Sequence, residues 1–521
     1  MRMLGDLFQL GLRAAPRSDA LVSPQRRYCF AELESMSDFL AGRLRREFAV
    51  LPGDRVAIVA SKAPEIVIAA VAIWKCGAIY APLDTADGVD RLGGMLQSLE
   101  PRLVISSAEN LTRHVLPRGL AGLSYEEIAQ LDAAGEPFRH RAPSDATAII
   151  IHTSGSTGRP KGVQLSHGSV VAYFLNHNRF LQFAPGARSL NNGPFHFDVS
   201  IQDTFLPLFF GATVVMHADV FLSSLITSLL RRQRITHLIA VSSVLQLISS
   251  GPGAIESLHN SDLRLVQTGG ETCDPKLMNR WMTGLPGLRM LYGYGPTEAN
   301  SICMAYEVLA PEPLRASPYP VGRPFPGHSA VLLGDDLQTE VAAGDTGVLA
   351  VSGPQLMSGY WRDEVETAAS MVLIGGAEFY ITGDRFRIDD DGNYCFVGRR
   401  DAEVKIRGRR INLNEIRNAL LQQPSVNYAV LHVVEVGGEQ QIAAIAHGHD
   451  VIDLQELRSG VKKLLPSYMV PTYLAASHEL ILTSTRKAND RAMISLLSQA
   501  ITREPRRYNF SIGSEIAQAK T

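Results

Sequence analysis

The chain has 521 residues, 45% hydrophobic and 20% charged, a length that predicts three or four compact units at about 150 residues each and excludes a lone small binding module. Fifty basic against 52 acidic side chains leave a formal charge of -2, with a pI of about 6.7 and a mean hydropathy of +0.03. That balance excludes wholesale disorder and any global field drawing the protein to nucleic acid or an anionic membrane, so bound phosphate must be held by a local site.

Five scattered cysteines, Cys29, Cys76, Cys273, Cys303 and Cys395, form no C-x-x-C pair, which argues against a disulfide framework or a cysteine zinc site and for a reducing cytosol. The longest apolar stretch, Ile66 to Trp74, stops at Lys75, far short of the ~20 residues that span a bilayer. The opening MRMLGDLFQLGL lacks the apolar core and cleavage pattern of a signal peptide. A cytoplasmic protein is expected.

From Phe30 to about Ser107, a helical stripe (AELESMSDFLAGRLRREF) and short apolar runs (RVAIVA, AIYAPLD, RLVISS) alternate as β-α units, predicting an α/β fold with a mostly parallel sheet. The alternation continues through ATAIIIHTS, ATVVMHA, ITHLIAVSS and LRLVQTGG. Each is a strand candidate ending in a polar or glycine-containing turn, where ligands collect in open α/β sheets. Residues 318–398 change to Gly-punctuated short strands, predicting a small β-rich unit within a large N-terminal part, 1–398. After GRRD, the run VKIRGRRINLNEIRNALLQQ reads as strand, turn and amphipathic helix. Two strands (NYAVLHVVE, QQIAAIAHG) and a helix (ELRSGVKKLL) follow, predicting a small α+β domain over 402–502 after a junction at 399–401. Residues 503–521 are polar without periodicity and read as a mobile tail.

The segment IIIHTSGSTGRPKGVQLSHGS runs an apolar strand into Thr153, Ser154, Gly155, Ser156, Thr157 and Gly158, with Lys161 behind them. Glycines let backbone N–H groups converge on an anion, hydroxyls add donors and a lysine neutralises charge. Arg159-Pro160 before the lysine and Gly162 after it exclude a Walker A loop.

With this loop, the segments GPFHFDVS, Gly269-Gly270-Glu271, LYGYGPTE, FYITGD, GRRDAEVKIRGRRI and LPSYMVP followed by Lys487 resemble, in order and spacing, the adenylate-forming enzymes. That family includes acyl-CoA ligases, luciferases and the adenylation domains of nonribosomal peptide synthesis. The resemblance implies ATP and Mg²⁺ as cofactors: a carboxylate attacks the α-phosphorus of ATP, pyrophosphate leaves, and a thiol then attacks the mixed anhydride. Two anions must meet, so catalysis is mainly positioning and charge neutralisation.

By resemblance, Ser154 to Gly158, Thr153 and Lys161 bind phosphate, and Thr157 and Glu298 hold the metal. Tyr294 stacks on adenine, with Gly270, Glu271, Gly295 and Thr297 around the nucleotide; Asp384 accepts from the ribose hydroxyls, and Arg399 supports the nucleotide. Asp401 is the hinge about which the small domain swings, and Gly408 reaches the thiol tunnel. Lys487 neutralises carboxylate and α-phosphate, although Arg486 and Asn489 depart from the usual Gly-Lys-x-Asp-Arg. Ile381 and Arg385 likewise stand where the family commonly has Arg and Leu.

The resemblance also implies the substrate class. Asp198 stands where amino-acid-activating members pair the substrate ammonium, and a buried carboxylate there separates amino acids from fatty or aryl acids. His196 matches a gate beside the adenylate. The family's pocket positions fall on Asp198, Val199, Gln202, Ile239, Val266, Thr268, Gly293, Ser301 and Ile302. Asp-Val-Gln resembles proline-activating domains, no second charge lines the pocket, and the small Gly293 and Ser301 keep alanine or serine open. No Gly-Gly-x-Ser attachment site follows the C-terminal domain, so a stand-alone ligase serving the phosphopantetheine thiol of a separate carrier protein is expected. An acyl-CoA ligase and a catalytically impaired adenylate-binding protein are the alternatives.

Overall fold

The computed structural model describes residues 3–511 apart from 86, 88, 114–118, 132–137, 154–159, 218–221, 250, 252, 316, 343, 401–402, 427, 449–451 and 478–489. The chain is α/β and divides into two compact units: Met1–Thr85 with Ser98–Thr153 and Lys161–Arg400, and Ala86–Gln97 with Ser154–Pro160 and Asp401–Thr521.

Three sheets build the first unit among the described residues. In the largest, Arg188–Asn191, His237–Ile239, Leu265–Gly269 and Arg289–Tyr294 run parallel as neighbours, so their carboxyl ends share one edge. The second sheet carries Arg55–Val59, Ile79–Leu83, Leu103–Ser106 and Thr147–Thr153. The third is antiparallel and holds Ala377–Ile388 against Tyr394–Arg399. These strands follow the β-α alternation and the Gly-punctuated region read from the sequence.

Helix Phe30–Glu47 buries Leu33, Met36, Leu40 and Leu44 at helical spacing, and its first turn closes as Glu32 Oε2 accepts from Cys29 N at 2.7 Å. The apolar run at 66–74 is helix Pro64–Lys75, buried all round. Lys75 at its end is also buried, paired with Glu34 at 3.0 Å and Asp38 at 2.8 Å. Among the described residues no helix is long and apolar enough to cross a membrane.

In the second unit Glu403–Ile406 and Arg409–Asn412 form a hairpin whose two-residue turn, Arg407 and Gly408, has φ of +50° and +72°, the left-handed pair of a tight hairpin turn. Helix Leu413–Leu421 follows, capped by Asn412. Tyr428–Val436 and Glu439–His447 pair antiparallel, and Tyr473–Ser477 extends the sheet. The end of the chain differs from the tail expected over 503–521. Helix Asp490–Arg503 is followed by strand Asn509–Ser511, which pairs parallel to Tyr473–Ser477 and buries Phe510. Three residues are too few to show a period of two, so only the lone aromatic signalled this strand.

Candidate active site

Asp198, Ile239, Gly270 and Tyr294 lie at or just beyond the carboxyl ends of the parallel strands in the largest sheet, whereas Asp384 and Arg399 stand on the antiparallel sheet and Thr153 and Lys161 on the second. After Asn191 the chain turns through Gly193 to Asp198 and enters a helix with a five-residue π-helical stretch, Ile201–Phe205. Such stretches are rare and re-aim side chains; this one carries Gln202. Asp198 Oδ2 accepts from Thr297 Oγ1 at 2.7 Å, joining this loop to the helical turn Thr297–Ala299. His196, beside Phe197 at 4.5 Å between ring centroids, faces Asp84 at 3.2 Å. Asp84 ends the strand Ile79–Leu83 and was not selected from the sequence.

Val266 and Thr268 share one face of their strand and Gln267 takes the other. Ile239, Val266, Thr268 and Ile302 are buried, and Val199 is half-buried. Gln202 Nε2 donates to Ser301 Oγ at 3.1 Å. A Cβ at Gly293 would stand 3.0 Å from Ile302 Cδ1 and 3.5 Å from Gln267 Nε2, so the missing side chain opens the space between them. Gly269 and Gly295 are needed for close approach: a Cβ at either would meet a carbonyl oxygen, of Gly293 at 2.3 Å or of Ser301 at 2.4 Å.

On the nucleotide side a register shift interrupts the pairing of Ala377–Ile388 with Gly347–Ser352, and Thr382 to Asp384 occupy it. Asp384 is buried, accepts from Tyr294 Oη at 2.5 Å and from Arg399 Nη1 at 2.6 Å, and pairs in register with Arg399. Burial and the Asp384 carboxylate push the Tyr294 phenol well above its usual range. Phe386 meets the Tyr294 ring edge-on at 4.8 Å. Gly270 has φ +78°. Beyond it, Glu271 Oε1 accepts from Ser243 N at 2.5 Å and Ser242 Oγ at 3.0 Å, capping helix Ser242–Ile248.

Thr153 and Lys161 are paired across antiparallel strands, on either side of the segment expected to bind phosphate. Ser154, Gly155, Ser156, Thr157 and Gly158 lie outside the described residues, as do Asp401 and Lys487. Lys161 is ion-paired with Glu366 and lies 5.3 Å from the Tyr360 ring centroid. Tyr360 Oη donates to Glu298 Oε1 at 2.8 Å, and the Glu298 carboxylate is buried.

Sequence reasoning also missed Asp203. It is buried and accepts from Gly193 N at 2.7 Å, Asn192 N at 2.8 Å, Thr204 Oγ1 at 2.7 Å and Asn191 Nδ2 at 3.1 Å. A carboxylate inside the apolar run VSIQDTFLPLFF was the available signal. Burial raises its pKa. Asp203→Ala strands the Asn192 and Gly193 amides, so stability should fall by about 3 kcal/mol. Urea unfolding followed by tryptophan fluorescence reads this, and an unchanged midpoint would show that the carboxylate does not hold the loop.

The model of the AMP-binding enzyme family matches residues 8–361, well over half of the chain. The chain belongs to the AMP-binding enzymes. This AMP-binding enzyme is 31% identical over 485 residues to the L-proline--[L-prolyl-carrier protein] ligase of Pseudomonas fluorescens, covering 90% of this chain and 94% of that one. It is 30% identical over 514 residues to bacitracin synthase 3 of Bacillus licheniformis, spanning 97% of this chain and only 8% of that protein. Its fold superposes with a TM-score of 0.80 on NpsA-ThdA, an artificially fused adenylation-PCP di-domain NRPS from Klebsiella oxytoca, at 26% identity over 91% of this chain and 93% of that one. The AMP-binding enzyme is an AMP-forming ligase, with ATP and Mg²⁺ as its cofactors.

Proposed function

We propose that this ligase adenylates a small amino acid, L-proline before alanine or serine, and transfers the aminoacyl group to the phosphopantetheine thiol of a separate carrier protein in the cytoplasm. The carrying observation is Asp198, a carboxylate fixed by Thr297 one residue before Glu298. An ammonium held there would place the amino acid at the turn that follows the strand carrying Tyr294. Likeness to a prolyl-carrier protein ligase over 94% of that protein's length supports both the substrate class and the carrier.

In the first step a substrate carboxylate oxygen bonds to the α-phosphorus of ATP as the bond to the bridging oxygen breaks and pyrophosphate leaves. In the second a thiol sulfur bonds to the carbonyl carbon, AMP leaves and the thiol proton passes to solvent. Asp198 binds the ammonium, while Val199, Gln202, Ile239, Val266, Thr268, Gly293, Ser301 and Ile302 shape the pocket. Asp384 and Arg399 hold the ribose side, Tyr294 the adenine, with Gly270, Glu271, Gly295 and Thr297 around them. His196, steadied by Asp84, gates the adenylate.

Thr153, Lys161 and the loop between them bind the phosphates, Lys487 neutralises the reacting anions, and Asp401 and Gly408 serve the thiol step. Among the described residues no three His, Cys, Asp or Glu side chains cluster to cage a metal. Mg²⁺ binds through one or two carboxylates plus substrate phosphates, and the hard oxygen donors of Glu298 and Thr157 fit that pattern. Held there, Mg²⁺ supplies charge neutralisation for the departing pyrophosphate.

Pyrophosphate exchange into ATP with a panel of amino, fatty and aryl acids tests the proposal. Exchange with proline above the others is the expected result. Exchange with fatty or aryl acids alone would mark an acyl-CoA ligase, and none with any acid an adenylate-binding protein that has lost catalysis.

A further inference from the structure

We infer that a chain of hydrogen bonds running from Tyr173 through His177, Gln267 and Gln202 to Ser301 sets amino-acid selectivity, with His177 as a positioning residue that fixes the Gln202 carboxamide. The inference rests on reading Gln202 and Ser301 as substrate-pocket residues; Tyr173, His177 and Gln267 are added to them by the structure.

The chain has four bonds: Tyr173 Oη to His177 Nδ1 at 2.8 Å, His177 Nε2 to Gln267 Oε1 at 2.7 Å, Gln267 Nε2 to Gln202 Oε1 at 2.9 Å, and Gln202 Nε2 to Ser301 Oγ at 3.1 Å. Tyr173, His177, Gln202, Gln267 and Ser301 are all buried.

The donors can be assigned along the whole chain. A carboxamide oxygen only accepts, so His177 donates from Nε2 and its Nδ1 accepts from Tyr173. The Ser301 hydroxyl accepts from Gln202 at the far end. His177, Gln267 and Gln202 therefore each accept once and donate once, in one direction from Tyr173 to Ser301. Flipping either glutamine amide would set two donors or two acceptors against each other, and the low-dielectric surroundings make that mismatch costly. Burial pushes the His177 pKa down to about 3, which keeps the imidazole neutral and able to accept at Nδ1. Stacking on Phe325, at 5.6 Å between centroids, holds the ring plane.

The backbone is built to hold Ser301 against Gln202. Asn300 and Ser301 both have positive φ, +55° and +77°, a strained pair for residues other than glycine. Gln355 Nε2 clamps the turn by donating to Ala299 O and Ile302 O, each at 2.7 Å. The π-helical stretch carries Gln202 to the other side. Two irregular segments thus converge on the Gln202–Ser301 end of the chain.

His177→Phe and Tyr173→Phe, singly and together, test the role by steady-state exchange. Each single variant should raise the amino-acid KM about tenfold, with the ATP KM and kcat within about twofold. The double variant should be no worse than His177→Phe alone, because both residues act through the same chain. His177→Gln, which can still donate to Gln267, should recover part of the loss. Additive effects, or an ATP KM rising in parallel, would overturn the inference. If the wild type prefers another class of acid, the same comparison is read on that acid's KM. A wild type inert with every acid sinks the substrate reading and the inference together, whereas an unchanged amino-acid KM in His177→Phe beside an active wild type sinks the inference alone. Nitrogen NMR of the full chain, with His177→Phe identifying the signal, reads the ring without turnover. A neutral Nε2–H tautomer from pH 5 to 8 is expected, and an Nδ1–H tautomer or protonation in that range overturns the assignment.

Discussion

Asp198→Ala is expected to reduce amino-acid-dependent pyrophosphate exchange by about a hundredfold or more, mostly through the amino-acid KM. Deleting one partner of a desolvated ion pair leaves the other charge uncompensated, at roughly 3 kcal/mol, and each 1.36 kcal/mol is a factor of ten. Loss of the acceptor for Thr297 Oγ1 adds a second effect, loosening the turn that carries Glu298. Asp198→Asn separates the two, since its carboxamide oxygen can still accept from Thr297 but carries no charge. It should fall nearly as far as Asp198→Ala toward the amino acid while leaving the ATP KM near the wild-type value. Full exchange by Asp198→Asn would show that the carboxylate does not neutralise the ammonium.

Asp198 was legible only through the resemblance of GPFHFDVS to the family's motif. The strands were legible from the residues themselves: short β-branched runs ending in polar or glycine turns announce buried parallel strands. Asp384 and Tyr294 could be named from their motifs, but nothing in either motif says that Tyr294 Oη donates to Asp384 or that Arg399 closes the other side. Those contacts join positions 90 and 15 residues apart, and the second depends on strand register. His177 and Gln267 were invisible for a stronger reason. His177 sits in the polar run Asn176-His177-Asn178-Arg179 of helix His167–Leu181 and Gln267 alternates with Val266 and Thr268, so neither is marked as part of a site. Only the packing of that helix against the strand shows that they satisfy one another. The end of the chain shows the complementary limit, because the partner that makes Asn509–Ser511 a strand lies more than thirty residues earlier.

Asp384→Ala should have the largest combined effect on stability and nucleotide binding. The Arg399 side chain is only 9% exposed, so removing the carboxylate leaves a largely buried guanidinium without that partner, and Tyr294 Oη loses its acceptor. Unfolding stability should drop by about 3–5 kcal/mol, and the ATP KM should rise at least tenfold. The two losses have different origins and can be separated. In Asp384→Asn combined with Arg399→Gln, both charges are removed together while hydrogen-bonding groups of similar size remain. Replacing both members of a buried pair is far less costly than breaking it, so urea unfolding of the double variant should return most of the way to wild type. The ATP KM should stay high, because a neutral carboxamide offers the ribose hydroxyls one acceptor oxygen in place of two and a weaker bond. Recovery of the ATP KM along with stability would mean that Asp384 only holds the strands Ala377–Ile388 and Tyr394–Arg399 in register, and the ribose contact would have to be sought elsewhere on that sheet.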